Sequence, residues 1–156
     1  MVSLVRVRQS GQSKLNVNQK RRIVFVRDGE TCIAKGVFGF CGGDLTVQHR
    51  AGRGMGGSAQ QDGFDNLLTM CSIHNELETA SADFHRLCVK LGWSMPRWVH
   101  DQGFADVVPV WYPGRGWFLL EPDGRVSIVD ERTAKTTMIS IYGPGFVGDP
   151  SGHPAG

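Results

Sequence analysis

Four side chains constrain this chain more than any others: Cys32, Cys41, Cys71 and His74. The pair Cys71-Ser72-Ile73-His74 has the two-residue gap that lets neighbouring ligands grip one tetrahedral ion. Cys32 and Cys41 are separated by eight residues, wider than the usual spacing, but glycines at 36, 39, 42 and 43 let that loop fold back. Three thiols and an imidazole closing one site point to structural Zn²⁺. The competing reading is that Cys32 and Cys41 are small buried residues of a metal-free core. The first eight residues, Met1 to Arg8, lack the apolar run of a secretory leader. A cytosolic address is therefore expected, where structural disulfides are disfavoured and metal ligation or burial must account for the thiols. Cys88 differs from the other three. It lies on an apolar helical stripe and reads as core.

Around these residues the 156-residue chain alternates between periodic and broken segments. Residues 1–15 are polar and irregular and read as a flexible arm. Asn16 or Asn18 can cap a helix through Gln19–Arg27, stopped by Asp28-Gly29. In that helix Ile23, Val24 and Val26 are the apolar positions, leaving Lys20, Arg21 and Arg27 to face solvent or phosphate. Thr31 to Gly43 suggests a knuckle or hairpin. Leu45 to Arg50 alternates as a short strand, and the glycines that follow make Ala51 to Gly63 a loop. Leu67 to Met70 is a short apolar segment. Leu77, Ala80, Phe84, Leu87, Cys88 and Leu91 recur at helical steps, which predicts one helix over Asn75–Leu91 with Gly92 as its stop. Beyond Pro96 the pattern changes to strands at 107–112, 116–120 and 125–129, with Pro113-Gly114 and Pro122-Asp123-Gly124 as turns, and a fourth strand at 138–142. Trp93, Trp98, Trp111, Tyr112, Trp117 and Phe118 read as packing. The organisation expected is 1–15 arm, 16–98 functional domain, 104–142 small β appendage and 143–156 disordered tail.

Charge is unevenly placed. Residues 1–60 carry ten Lys and Arg against three Asp and Glu, whereas 61–156 carry seven against twelve. A basic half in a nearly neutral chain suggests one face that meets a polyanion, although solvated helix charges would give the same count. No apolar run is long enough for a membrane span, so no membrane partner is expected.

The order of residues then points to a family. Leu45-Thr46-Val47-Gln48-His49-Arg50, followed by Arg53-Gly54-Met55-Gly56-Gly57-Ser58 and Asn66-Leu67-Leu68-Thr69-Met70-Cys71, resembles HNH endonucleases, most of all those of bacteriophages of actinobacteria. The likeness spans about Arg21 to Trp93 and extends weakly into Pro109–Gly124. It implies an α+β fold: a zinc-braced ββα-metal core preceded by a basic helix and followed by an antiparallel β appendage. It also implies metal-dependent hydrolysis of double-stranded DNA, by nicking, in the host cytoplasm. Phage packaging or genome-processing proteins would then be the partners.

Carried over to this chain, the resemblance makes His49 the general base. An imidazole suits that role because it titrates near neutrality. Asn66 would brace the loop and orient His49, and Mg²⁺ or a similar ion would stabilise the phosphate and the leaving oxygen. Arg50, Arg53, Lys20 and Arg21, with Arg22 and Arg27, would contact DNA phosphates.

Two departures from the family pattern stand out. Gln48 replaces the Asp or His that often precedes the base as an ion ligand. His74-Asn75 replaces a Cys-His pair. In one register His74 completes the zinc site and Asn75 becomes the catalytic-ion ligand. In the other, His74 serves the catalytic ion and the zinc site is incomplete. His85 is expected on the surface or facing DNA. Two rival functions remain: a non-catalytic zinc-knuckle DNA-binding module, and a phage or host-interaction protein whose β region binds another protein.

Overall fold

A computed structural model describes residues 14–52 and 62–146. The first helix, α1 (Val17–Arg27), starts where Asn16 accepts a hydrogen bond from the Gln19 amide while the Gln19 side chain accepts one from the Asn16 amide. That reciprocal cap satisfies two amides that the first turn would otherwise leave bare. Of its apolar positions only Val24 is buried; Ile23 and Val26 remain exposed.

The α1 helix ends on a buried carboxylate. Asp28 accepts from the Thr69 amide at 2.8 Å, the Tyr112 hydroxyl at 2.6 Å and Arg27 Nε at 2.8 Å. Arg27 also donates to the carbonyls of Phe64 and Leu67. This guanidinium was expected to face solvent or phosphate. It is instead buried, because Asp28 and two carbonyl oxygens replace its water. Asp28→Asn should therefore lower stability by about 2 kcal/mol in urea denaturation, since a charge-assisted acceptor of three donors is lost.

Strands β1 (Leu45–His49) and β2 (Leu67–Cys71) pair antiparallel, with Leu45 opposite Cys71 and His49 opposite Leu67. A single 3-10 turn, Phe64–Asn66, leads into β2. Helix α2 (Ser72–Ala80) follows β2 directly, and the Cys71 thiol at its N-cap accepts from the His74 amide. The expected single helix is broken at Ser81, which adopts an extended conformation and caps the next helix, α3 (Ala82–Lys90), by accepting from the Phe84 amide. The apolar period survives the break because Leu77, Phe84 and Cys88 all point to the same core. Ala80, part of the predicted stripe, is exposed. Gly92 does end α3: its φ of +73° places a Cβ against the Pro109 carbonyl oxygen, so no larger residue fits.

A short helix, α4 (Arg97–Asp101), precedes a meander of β3 (Val110–Tyr112), β4 (Gly116–Leu120) and β5 (Val126–Val129). The fourth strand expected at 138–142 is part of helix α5 (Glu131–Tyr142) instead. Asp130, accepting from the Thr133 amide, starts a helix, and Ala134 and Met138 then fall on one buried face. Residues 143 to 146, expected to be disordered, continue the packing, with the Phe146 ring 4.5 Å from Tyr142.

Strands β3 and β4 share a core with the segments before them. Val110, Tyr112, Phe118 and Leu120 join Leu68, Met70, Phe84, Cys88 and Trp93 in one cluster. The sheet therefore packs into the body of the fold rather than hanging from it. Trp98, expected to pack, meets the Tyr142 ring edge-on but is 45% exposed.

Candidate metal centre and cleft

The knuckle between α1 and β1 brings Cys32 and Cys41 to the start of α2. Gly43, at φ +73°, passes so close to Ser72 that a Cβ there would overlap its hydroxyl. The ligand atoms of Cys32, Cys41, Cys71 and His74 all lie within 4.8 Å of one another. His74 Nδ1 is 3.6 Å from the Cys32 and Cys41 sulfurs and 3.2 Å from that of Cys71. A tetrahedral zinc with ordinary Zn–S and Zn–N bonds holds its ligand atoms about 3.5–3.8 Å apart. The donors fit.

The second ring nitrogen of His74, Nε2, donates to the Phe38 carbonyl, which leaves the Nδ1 lone pair facing the three thiols. His74 thus sits with the cysteines, and the two-residue gap from Cys71 is what delivers it. Burial pushes the Cys32 thiol up to about 12. Burial also raises Cys71, but hydrogen bonds from the backbone of His74 and Gly42 outweigh it and bring that thiol down to about 6. The cluster can therefore hold a structural zinc. Among the described residues it is the one group of three or more Cys, His, Asp or Glu suited to a metal. Cys88 stands apart, fully buried, with its thiol pushed up by the apolar surroundings.

A second feature lies at the other end of β1. Here a cleft of about 440 Å³ is lined by His49, Asp62, Thr46, Val47 and Leu67, with Leu15, Val17, Lys20 and Arg21 from the α1 side. His49 Nε2 is 2.9 Å from Asp62 Oδ1, and their side chains are 24% and 30% exposed. Lys20 Nζ donates to the Asp62 carbonyl at 3.2 Å. Asn66 lies behind this pair. Its side-chain oxygen accepts from the Ala51 amide at 2.7 Å, its amide donates to the Ala51 carbonyl at 3.2 Å, and its own carbonyl accepts from the Arg50 amide at 2.8 Å. The chain after His49 is thereby clamped to the turn that carries Asp62.

Other expected site residues are placed differently. Arg50 is 1% exposed and cannot reach DNA. Its guanidinium donates to the carbonyls of Gly92 at 2.7 Å, Asp65 at 2.7 Å, Ala105 at 2.9 Å and Val108 at 2.8 Å. Burial lowers it to about 10, so it remains charged at neutral pH. Four carbonyl dipoles replace water around a charge that no carboxylate among the described residues hydrogen-bonds. Arg53 lies outside the described residues. Asn75 donates to Thr46 Oγ1 at 2.8 Å, toward the opposite end of β1 from His49 and about 10 Å along the strand. Gln48 is 3% exposed and donates to Ser94 Oγ at 3.3 Å; Ser94 in turn donates to Glu78 at 2.9 Å, which also meets His85. His85 itself is exposed, as expected.

A hard divalent cation takes oxygen ligands and is usually held by at least one carboxylate. Gln48 and Asn75, the positions the resemblance gives to the ion, offer two neutral amides already bonded to hydroxyls, and the carboxylate described in the cleft, Asp62, is taken up by His49. These residues do not fit a resident Mg²⁺.

Asp62 is the site residue that sequence reading missed. It follows a Gly- and Gln-rich stretch of sequence, and its signal was being the first acid after His49. Comparison with known protein families, with curated proteins and with solved structures returns no match to this chain. No helix among the described residues is long and apolar enough to cross a membrane.

Proposed function

We propose that this protein is a zinc-braced DNA endonuclease that hydrolyses one strand at a time, with His49 as the general base. The observation that carries the reading is the His49–Asp62 pair in a cleft that also receives Lys20 and Arg21. An imidazole held by a carboxylate is equipped to take a proton, and two cations beside it suit a phosphodiester. His49 takes a proton from water, whose oxygen attacks phosphorus. The bond from phosphorus to the 3′ oxygen breaks, and solvent returns a proton to that oxygen. Lys20 and Arg21 offset the charge that builds on the phosphate oxygens.

The decisive assay is relaxation of supercoiled plasmid by wild type and His49→Ala, with Mg²⁺, Mn²⁺ or EDTA. Wild type is expected to nick, and the variant to lose about 100-fold or more with its circular dichroism unchanged. Nicking by wild type that needs added Mg²⁺ or Mn²⁺ would mean that DNA helps recruit an ion these residues do not hold alone. Equal cutting by both proteins would refute the role of His49.

One observation favours a second reading, a DNA-binding module without cleavage. Gln48, beside the base, is locked to Ser94 and offers no charge to an ion. Binding by both proteins with no cutting under any condition would select it. Under either reading Lys20→Ala and Arg21→Ala should each lessen the slope of log affinity against log salt by about 1, measured by fluorescence anisotropy on a duplex. An unchanged slope in both would exclude them from the DNA interface.

A further inference from the structure

We propose that Asp62 is the positioning residue for His49, fixing the ring with its proton on Nε2 so that Nδ1 is the atom that takes the proton from water. The inference rests on the endonuclease reading for its catalytic part, and on geometry alone for the state of the ring.

The geometry begins with hydrogen-bond roles. An ionised carboxylate only accepts, so the 2.9 Å contact between Asp62 Oδ1 and His49 Nε2 requires the proton on Nε2. In a neutral imidazole the other nitrogen then carries the lone pair. No described residue hydrogen-bonds Nδ1 of His49. The same carboxylate stabilises the imidazolium that forms once that lone pair has taken a proton.

The contact is held by the fold rather than left to two side chains. His49 ends β1, and the next two residues are tied to Asn66, through the Arg50 amide and both polar atoms of the Asn66 side chain. Asn66 in turn donates its amide to the Gly63 carbonyl at 2.9 Å, which closes the turn beginning beside Asp62. Lys20, reaching from α1 to the Asp62 carbonyl, pins the same segment from the other side. Imidazole and carboxylate therefore approach from two chain segments bridged by three hydrogen bonds to Asn66, with two more holding the Asp62 side in place. A pair fixed in this way keeps one tautomer and one ring orientation ready for substrate.

The test uses the full-length protein labelled with ¹⁵N at histidine, together with plasmid nicking. With the ring neutral, His49 should show a protonated Nε2 and a bare Nδ1 in long-range ¹H–¹⁵N spectra. Asp62→Ala should convert that signature to a mixture of tautomers. Asp62→Asn, whose amide can donate to the ring as well as accept from it, should likewise fail to hold a single tautomer. In nicking, both variants should lower kcat by about 100-fold while KM stays within about twofold, because a positioning residue acts on the transition state and not on DNA binding.

A proton on Nδ1 in the wild type would overturn the proposal, as would an Asp62→Ala protein whose ring signature and kcat match the wild type. If the wild type cuts no DNA at all, the endonuclease reading fails. The ring spectra, recorded without DNA, still decide whether Asp62 sets the tautomer.

Discussion

Elemental analysis of the purified protein should find one zinc per chain, and stripping it with a strong chelator should unfold the body of the molecule. Cys32 and Cys71 are ligand candidates and core residues at once, packed with Leu68, Met70 and Phe84. Without an ion, three sulfurs and an imidazole are left facing one another inside that cluster. The binding free energy of a structural zinc is of the order of 10 kcal/mol, comparable with the whole stability of a domain this size. Cys71→Ser should therefore lose both zinc and the cooperative thermal transition, whereas Cys88→Ala should keep the zinc and cost only about 1 kcal/mol. A Cys71→Ser protein that melts like the wild type would mean the cluster is a metal-free core.

This is also the part of the molecule that was most legible in the sequence. The two-residue gap from Cys71 to His74 selected the fourth ligand, and the helical period of Phe84, Cys88 and Leu91 set the remaining cysteine aside. The choice between the two registers of His74 needed the structure, because it depends on the Phe38 carbonyl that fixes the ring, and Phe38 lies 36 residues away. Asn66 was singled out by the family resemblance, but its hydrogen bonds to Ala51 and Arg50 came from the structure. The break at Ser81 was not legible, since a residue that ends one helix and caps the next leaves the apolar period intact.

The second large effect is expected at Arg50. Replacing it with Met or Lys should lower stability by about 3–5 kcal/mol in urea denaturation, because buried carbonyls lose their donors. Lysine keeps the charge but cannot fan out to Gly92, Asp65, Ala105 and Val108 from one ammonium. Arg21→Ala, on the exposed face of α1, should change stability by about 0.5 kcal/mol or less. Comparable losses in the two would mean that the carbonyls around Arg50 find water when the guanidinium is gone.

Nothing local distinguishes Arg50 from Arg53 or Arg21 in the sequence. Its burial is decided by three segments 15 to 58 residues further along the chain, which present oxygen atoms and no water. The same long reach explains Arg27, whose partners Phe64 and Leu67 lie 37 and 40 residues away. Basic residues counted as a DNA-binding face therefore divide into two groups. Lys20 and Arg21 border the cleft, and Arg27 and Arg50 hold the interior together.

His49 and Arg50 are neighbours that face opposite ways, one toward the cleft and one into the protein. Side chains on a strand alternate, so losing a single residue between Cys41 and Leu45 would turn β1 over relative to β2. That slip would carry the guanidinium out of its ring of carbonyls and press the imidazole into the buried place of Gln48. The length of this turn is accordingly under a restriction of parity: deletions or insertions of one residue are excluded by charge, whatever the loop itself could accommodate. Natural variants of such a chain should change the composition of residues 42–44 far more readily than their number.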